Sequence, residues 1–201
     1  MPLNCALGRR TVVIPMLIST VASVSMFSLF TYITPLLEQV TGLTPHGVTG
    51  ALLAIGIGLT IGNLIGGRSA DRNLLATVIG CFLGLIVVLC AMTLAISLQL
   101  PIVALLTVWG GLAFALVSPM QVWVVDAATD APNLASTLNQ GAFNLGNALG
   151  AWLGGGALTA GLGYAQLPLV GAVVAGLGLA LTLAATRRSR TVIPALRILR
   201  R

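Results

Sequence analysis

The sequence predicts an all-α integral membrane protein with six transmembrane helices. Of its 201 residues, 57% are hydrophobic and 7% are charged, whereas a typical soluble domain carries about 25% charged residues. The charged residues also cluster, which leaves long charge-free stretches between them. So few charges cannot cover the surface of a water-soluble globule, and a disordered chain would need low hydrophobicity, so both classes are excluded.

The charge-free stretches predict the number of spans. Stretches 11–37 and 39–67 each have room for one helix of about 20 residues, the length that crosses a bilayer. Stretches 73–125 and 131–186 each have room for two helices, with a turn rich in Gly, Pro or Gln between them. The predicted spans, numbered 1 to 6 in chain order, are 12–36, 47–67, 74–96, 102–124, 134–160 and 167–186.

The placement of arginine predicts the orientation. The net charge is +6, all the basic residues are Arg, and most of them lie in a tail, 187–201. A leader, 1–10, and the turn that carries Arg68 and Arg72 fall on the same side of the six-span bundle 11–186. By the positive-inside rule, both termini are cytoplasmic. No nucleic-acid partner is expected, because no basic face with interleaved aromatic residues is present.

Two spans carry small residues at every fourth position, which places them in one stripe along a helix. Such stripes let two helices approach closely in a membrane, where packing drives association. We predict helix packing at both stripes, and smooth packing surfaces of this kind also allow helices to slide. The glycines in these stripes are Gly58, Gly62 and Gly66 in span 2, and Gly146, Gly150 and Gly154 in span 5.

Span 5 is the most polar span. Gln140, Asn144 and Asn147 share an arc of roughly 60° on a helical wheel, beside the glycine stripe. Carboxamides without partners are costly in lipid, so this arc faces protein or a wet cavity. Two interpretations stay open, namely hydrogen bonds between helices and the wall of a substrate cavity.

Span 1 carries a similar but weaker polar arc. Ser25, Ser28 and Tyr32 lie within about 60° of one another, and Pro35 follows near the end of the span, where it can kink the helix. Serine can satisfy its hydroxyl against its own helix. Cavity lining and local hydrogen bonding are therefore both possible for this arc.

No set of residues typical of an enzyme is present. The chain has one histidine, His46, and lacks a metal-ligand cluster, a G-x-S-x-G motif and a phosphate-binding Gly-Lys motif. No span interior holds Lys, Arg, Asp or Glu. We therefore expect no enzymatic activity, no cofactor and no metal.

The predicted turn between spans 2 and 3 reads Gly-Gly-Arg-Ser-Ala-Asp-Arg over 66–72. Gly67 permits a tight helix exit, and Asp71 is placed to cap the start of span 3 and to meet its positive dipole end. Arg68 and Arg72 can pair with Asp71 or with neighbouring helix ends. A Gly, four residues and Asp-Arg at a short inner turn resembles the signature loop of the major facilitator superfamily (MFS).

Further segments carry the same resemblance. Residues 30–37 resemble the seventh span of bacterial drug and sugar efflux permeases. Residues 126–128, 131–136 and 139–153 resemble their tenth-to-eleventh loop and their eleventh span. Over about 11–186 the chain is similar to the arabinose-efflux-permease branch of the twelve-span proton-coupled drug exporters.

This resemblance implies the C-terminal six-span half of such a permease, with the leader in the central cytoplasmic linker. It implies proton-coupled efflux of a small neutral or weakly polar solute, a drug or a sugar, across the bacterial inner membrane. The implied partners are the lipid bilayer, the solute, and either a separate N-terminal half or a second copy. A truncated remnant or a membrane scaffold that transports nothing is the alternative, and a membrane enzyme is disfavoured.

The resemblance also implies roles for the residues singled out above. The gating turn, which would hold the inward gate closed, consists of Gly67, Arg68, Asp71 and Arg72. The substrate cavity would be lined by Ser25, Ser28, Tyr32, Gln140, Asn144 and Asn147.

Overall fold

A computed structural model describes the backbone of residues 10–128 and 130–197 and the side chains of 11–128 and 130–187. Most of the predicted leader and the last four residues of the predicted tail lie outside the described residues. Every regular element in the described parts is helical. The helices are α1 (Arg10–Phe30), α2 (Ile33–Gln39), α3 (Pro45–Ala95), α4 (Gln99–Phe114), α5 (Val117–Ala127), α6 (Pro132–Thr159) and α7 (Leu167–Arg197), with a 3₁₀ turn at Tyr164–Gln166 before α7.

Four helical segments of the described chain are long and apolar enough to cross a membrane. They are Thr11–Gln39, Pro45–Ala95, Gln99–Ala127 and Tyr164–Arg187. Helix α6, with 28 residues, is also long enough to cross a bilayer. Its many Asn, Gln, Ser and Thr side chains set it apart from these four segments. The fold is therefore all-helical and has several membrane-crossing helices, whereas the count of six spans stays a prediction.

Helix α3 is a hairpin. Its 51 residues would extend about 76 Å as one straight helix. Instead, Thr41, just before α3, donates a 2.8 Å hydrogen bond to the carbonyl oxygen of Ile96, just after it. The two ends can meet only if the helix reverses, and the non-helical backbone of Asn73 (φ −157°, ψ 93°) marks the reversal. The halves 45–72 and 74–95 correspond to predicted spans 2 and 3.

Predicted spans 1 and 4 are each broken into two helices. The helical backbone stops at Thr31 between α1 and α2, and at Ala115 between α4 and α5. In both places a proline, Pro35 or Pro119, follows four residues later. Proline has no N–H to donate to the carbonyl four residues before it, and its ring crowds that carbonyl. The predicted kink of span 1 thus exists, and it lies four residues before Pro35.

The glycine stripes lie where helices touch. A Cβ atom on the glycines of α3 would overlap backbone carbonyl oxygens of α4 and of Ala115, the residue that follows α4. A Cβ atom on the glycines of α6 would lie 2.5 to 2.8 Å from carbonyl oxygens of α1. Each proline-broken helix therefore lies directly on the glycine stripe of another helix. The facing residues are Thr107, Gly111 and Ala115 for Gly58, Gly62 and Gly66, and Thr20, Val24 and Ser28 for Gly146, Gly150 and Gly154.

The core lies between α1, α4, α7 and the second half of α3. Phe82 and Leu89 of α3 and Trp109 of α4 are fully buried there, and Trp109 stacks on Phe30 of α1 at 6.3 Å between ring centroids. Large apolar side chains also cover the outside of the bundle, for example Val87 and Leu94 of α3. An apolar exterior over an apolar core is what a lipid-facing bundle requires.

Candidate functional site

The carboxamides of α6 lie along the edge of its contact with α1. Because the glycines of α6 face α1, the neighbouring arc of the helix points away from that contact. Gln140 and Asn144 are exposed, and Asn147 is half-buried. Among the described residues none of these three side chains has a hydrogen-bond partner. The structure thus keeps the three together as one strip of unpaired amides.

Gln121 of α5 connects this strip to a neighbouring helix. Its Nε2 donates to Oγ of Ser136, and its Oε1 accepts a 2.7 Å hydrogen bond from Nδ2 of Asn139. Ser136 lies one helical turn before Gln140, on the same side of α6. Helix α5 therefore packs beside the edge of α6 that carries the amide strip.

Helix α5 also reaches the first half of α3. Oγ of Ser118 donates a 3.0 Å hydrogen bond to Oδ1 of Asn63, and Asn63 is exposed. Gly67 lies beside the same serine, because a Cβ atom there would be 3.8 Å from Ser118. Polar groups of three helices therefore form one surface, the polar face, with α5 in the middle. Its members are Asn63, Ser118, Gln121, Ser136, Gln140, Asn144 and Asn147.

The part of this face that lies outside α6 is not evident from the sequence. Asn63 and Ser118 are isolated polar residues in apolar spans, and nothing in the sequence joins them. Ser136 could have been found, because it precedes Gln140 by four residues and so lies on the same stripe. The position of α5 between α3 and α6 is a tertiary feature that no local pattern reports.

The polar arc of span 1 lies elsewhere. Ser25 and Ser28 are completely buried, and Ser25 donates a 2.7 Å hydrogen bond to the carbonyl oxygen of Gly171 in α7. Ser28 donates to the carbonyl oxygen of Ser25 at 2.9 Å. Both hydroxyls are thus satisfied by backbone inside the bundle. They belong to the contact between α1 and α7 and lie apart from the polar face.

Tyr32 lies in the break between α1 and α2, over the far end of α6. Its hydroxyl donates a 2.9 Å hydrogen bond to the carbonyl oxygen of Ala151, and its ring lies against Gly154. The same hydroxyl would be 2.8 Å from a Cβ atom on Gly155, so a larger residue there would require the hydroxyl to shift. Tyr32 therefore ties α6 to span 1 at the end opposite to Gln121.

The predicted gating turn is helical, which corrects two expectations. Gly67 does not end a helix, because the first half of α3 continues through Arg72. Asp71 does not cap the next helix. Asn73 does so, since its Oδ1 accepts a 3.0 Å hydrogen bond from the backbone N–H of Ala76. A capping residue needs non-helical backbone angles, which Asn73 has and Asp71 lacks.

The charged members of that turn are accessible. Arg68, Asp71 and Arg72 are all exposed on the last turn of the first half of α3. They lie next to the reversal at Asn73, in the same half of α3 as Asn63.

A shallow apolar groove of about 270 Å³ lies on another side of α6. It is lined by Met16, Leu17 and Thr20 of α1 and by Leu138, Gly141 and Leu145 of α6, among others. Its lining carries almost no polar atoms, so it is unlike the polar face. Among the described residues, no three His, Cys, Asp or Glu side chains come together as a metal site would require.

Similar proteins identify the family. No protein-family model matches the chain. It is 43% identical to the inner membrane transport protein YdhP of Escherichia coli strain K12 over 182 residues, which cover 90% of this chain and 47% of YdhP. It is 37% identical to the uncharacterized MFS-type transporter YtbD of Bacillus subtilis strain 168 over 152 residues, which cover 74% of this chain and 38% of YtbD. The chain is a homologue of MFS-type transporters.

The resemblance to the MFS that the sequence motifs carry is thereby confirmed. The putative transporter AraJ of Escherichia coli strain K12 is 30% identical over 152 residues, which cover 74% of this chain and 38% of AraJ. The chain spans about half the length of the curated relatives it matches. These relatives are named as transport proteins or transporters.

Proposed function

We propose that the chain is part of an MFS-type transporter of the bacterial inner membrane, crosses the membrane six times, and corresponds to the C-terminal half of its longer relatives. In this proposal it exports a small neutral or weakly polar solute, a drug or a sugar, in exchange for protons. The relatives support transport, since YdhP is named an inner membrane transport protein. The polar face supplies the wall of the solute path.

The exposed carboxamides of Gln140 and Asn144 carry the proposal. Both lie on a helix that packs tightly into an apolar bundle, and neither is paired among the described residues. An amide facing hydrocarbon without a partner loses roughly 2 to 7 kcal/mol. A water-filled path avoids that loss, and the same amides can then bind a solute.

The chemistry of the face favours uncharged solutes. Its members offer amide and hydroxyl groups only. The charged side chains Glu38, Asp71 and Asp126 lie outside the face, near the ends of helices. A site of this kind recognises hydroxyl, amide and ether groups by hydrogen bonding, and it offers no ion pair to a charged solute.

We further propose that Arg68, Asp71 and Arg72 hold the inward gate closed. Their exposure lets them pair with groups in the remainder of the transporter when its halves come together. Gly67 next to Ser118 keeps this turn of α3 close to the polar face. A charge pair at this position would release when the halves separate.

The decisive experiment is transport by the chain in proteoliposomes. The chain is reconstituted alone and together with the missing half of a relative, and loaded vesicles are assayed for release of a panel of fluorescent drugs and radiolabelled sugars. A pH gradient imposed across the membrane should accelerate release if protons are exchanged. Failure to move any solute in either form would contradict transport and favour a remnant or a scaffold.

Variants of α6 test the role of the polar face. Gln140→Leu and Asn144→Leu should each lower the transport rate about five- to thirtyfold, because each removes hydrogen bonds worth about 1 to 2 kcal/mol to the solute. Leu145→Ala, at an exposed position on the same helix, serves as the control and should transport normally. Equal rates for all three variants would exclude the face as the solute path.

A further inference from the structure

The hydrogen bonds between α5 and α6 form a short chain in which each residue donates to the next, from Asn139 through Gln121 to Ser136. Nδ2 of Asn139 donates to Gln121, and Gln121 donates to Oγ of Ser136. The proton of the Ser136 hydroxyl has no acceptor among the described residues. Oδ1 of Asn139 is buried and accepts from no donor in the part of the chain that the structure describes. The chain of bonds thus lacks an acceptor at Ser136 and a donor at Asn139.

The two open ends are neighbours. Ser136 and Asn139 are three residues apart on α6, a spacing that places their Cβ atoms about 5 to 6 Å from each other on one face of the helix. A single oxygen atom that makes two hydrogen bonds of about 2.8 Å each spans a distance of that size. Asn139 is fully buried, whereas Ser136 is half-buried, so access is from the Ser136 side.

We propose that Ser136 and Asn139 bind one hydroxyl group, which accepts from Oγ of Ser136 and donates to Oδ1 of Asn139. The bound hydroxyl, Ser136, Gln121 and Asn139 then form a closed ring of hydrogen bonds. An ammonium group can donate to Asn139 but cannot accept from Ser136, and a deprotonated anion can accept from Ser136 but cannot donate to Asn139. A hydroxyl does both with one atom. Water and the hydroxyl of a polyol share this chemistry.

The energetic reason is the burial of Asn139. A buried acceptor without a donor destabilises the fold, and a bound hydroxyl removes that cost. Buried water molecules in proteins occupy sites of this kind, where they make about three hydrogen bonds to polar groups. The site depends only on α5 and α6, so it stands independently of the transport proposal. If the hydroxyl belongs to a polyol, its binding also strengthens the contact between these two helices.

The direct test is a structure of the full chain in lipid nanodiscs, at a resolution that shows ordered water, with and without glycerol. We expect density within hydrogen-bond distance of both Ser136 Oγ and Asn139 Oδ1. Density for a single atom in both samples identifies the bound hydroxyl as water. Density with the shape of glycerol in the sample that contains glycerol identifies it as the hydroxyl of a polyol. An Asn139 Oδ1 that accepts from a protein donor, or that faces no density in either sample, overturns the proposal.

Variants provide a second measurement in the same nanodiscs. Ser136→Ala should abolish the density and lower the thermal unfolding midpoint by several degrees, whereas Ser136→Thr, which keeps the hydroxyl, should retain both. Ser118→Ala is the matched control, because it removes another half-buried hydroxyl of the polar face that bonds a carboxamide, and it should leave the density unchanged. Persistence of the density in Ser136→Ala would also overturn the proposal. If Ser136→Ala does not fold, loss of the density in Asn139→Leu with retention in Ser136→Thr decides the same point.

Discussion

Asn73 determines where the second half of α3 begins. Its side chain accepts from the N–H of Ala76, and its carbonyl oxygen accepts a 2.9 Å hydrogen bond from the hydroxyl of Thr77. The sequence predicts Asp71 as the capping residue because it lies at the start of span 3, where a carboxylate meets the positive dipole end of the helix. Both residues favour that role by type. Only the backbone angles, which depend on how the hairpin closes, distinguish them.

Loss of the Asn73 cap should destabilise the protein. Asn73→Ala leaves the N–H of Ala76 without its acceptor and should lower the free energy of unfolding by about 1 kcal/mol. Asn73→Asp keeps an acceptor and should be close to wild type. Asp71→Ala is the control and should not change stability. Thermal unfolding in detergent measures all three, and a larger loss for Asp71→Ala than for Asn73→Ala would show that the cap is assigned to the wrong residue.

The charge of Asp71 is expected to matter for transport. Asp71→Asn keeps the size of this exposed side chain, so expression and thermal stability should be unchanged. If Asp71 pairs with basic groups in the closed state, the variant should lower the export rate severalfold. The rate of solute export and the amount of protein in the membrane are the two measurements. An unchanged export rate would show that Asp71 has no role in the gate.

At the level of the helices, sequence patterns predicted the contacts made by small residues better than those made by polar residues. Glycines four residues apart indicate a close contact wherever the helix lies, because the stripe itself is the contact surface. The breaks before Pro35 and Pro119 follow from the chemistry of proline, although the sequence does not show how far they interrupt a span. The hydrogen bonds of Gln121 and Ser118 depend on which helices α5 contacts. Those contacts result from the packing of all the helices in the bundle.

The close contact at Gly62 provides a prediction for α3. A Cβ atom there would overlap the carbonyl oxygen of Gly111, so Gly62→Ala must push α4 away. Overpacking of this kind costs about 1 to 3 kcal/mol, which exceeds the gain of about 1 kcal/mol in helix propensity. The thermal unfolding midpoint should fall by several degrees.

Gly56→Ala is the matched control for Gly62→Ala. It introduces the same methyl group into the same helix, where nothing lies within 4 Å. Its unfolding midpoint should be equal to that of the wild type or slightly higher, because alanine favours the helix. Equal midpoints for the two variants would mean that α3 and α4 are not in backbone contact at Gly62.

For the whole molecule, the sequence predicted the amide strip and left its surroundings open. Helical periodicity alone places Gln140 and Asn144 on the same side of α6. Both side chains are exposed in the structure. Ser25 and Ser28 have the same periodicity, yet they are buried against α7. Periodicity gives the side of a helix that a residue occupies, whereas the partner on that side is fixed by the packing of the entire chain.

The number of crossings is the last property that belongs to the whole molecule. Because Thr41 and Ile96 are hydrogen-bonded, His46 and Leu98 should lie on one side of the membrane, with α3 passing twice between them. A single pass by α3 would place them on opposite sides. Six spans also require α6 to cross the membrane. Leu162 then lies on the same side of the membrane as His46, and Arg72 lies on the opposite side.

Accessibility of single cysteines measures this arrangement. In a chain whose three native cysteines are replaced by alanine, His46→Cys, Leu98→Cys and Leu162→Cys should react with a membrane-impermeant maleimide in vesicles of one orientation. Arg72→Cys and Asp126→Cys should react in vesicles of the opposite orientation and so provide the internal control. Labelling of Leu162→Cys together with Asp126→Cys would mean that α6 does not cross. The amide strip would then lie at the membrane surface, where it could not line a path for a solute.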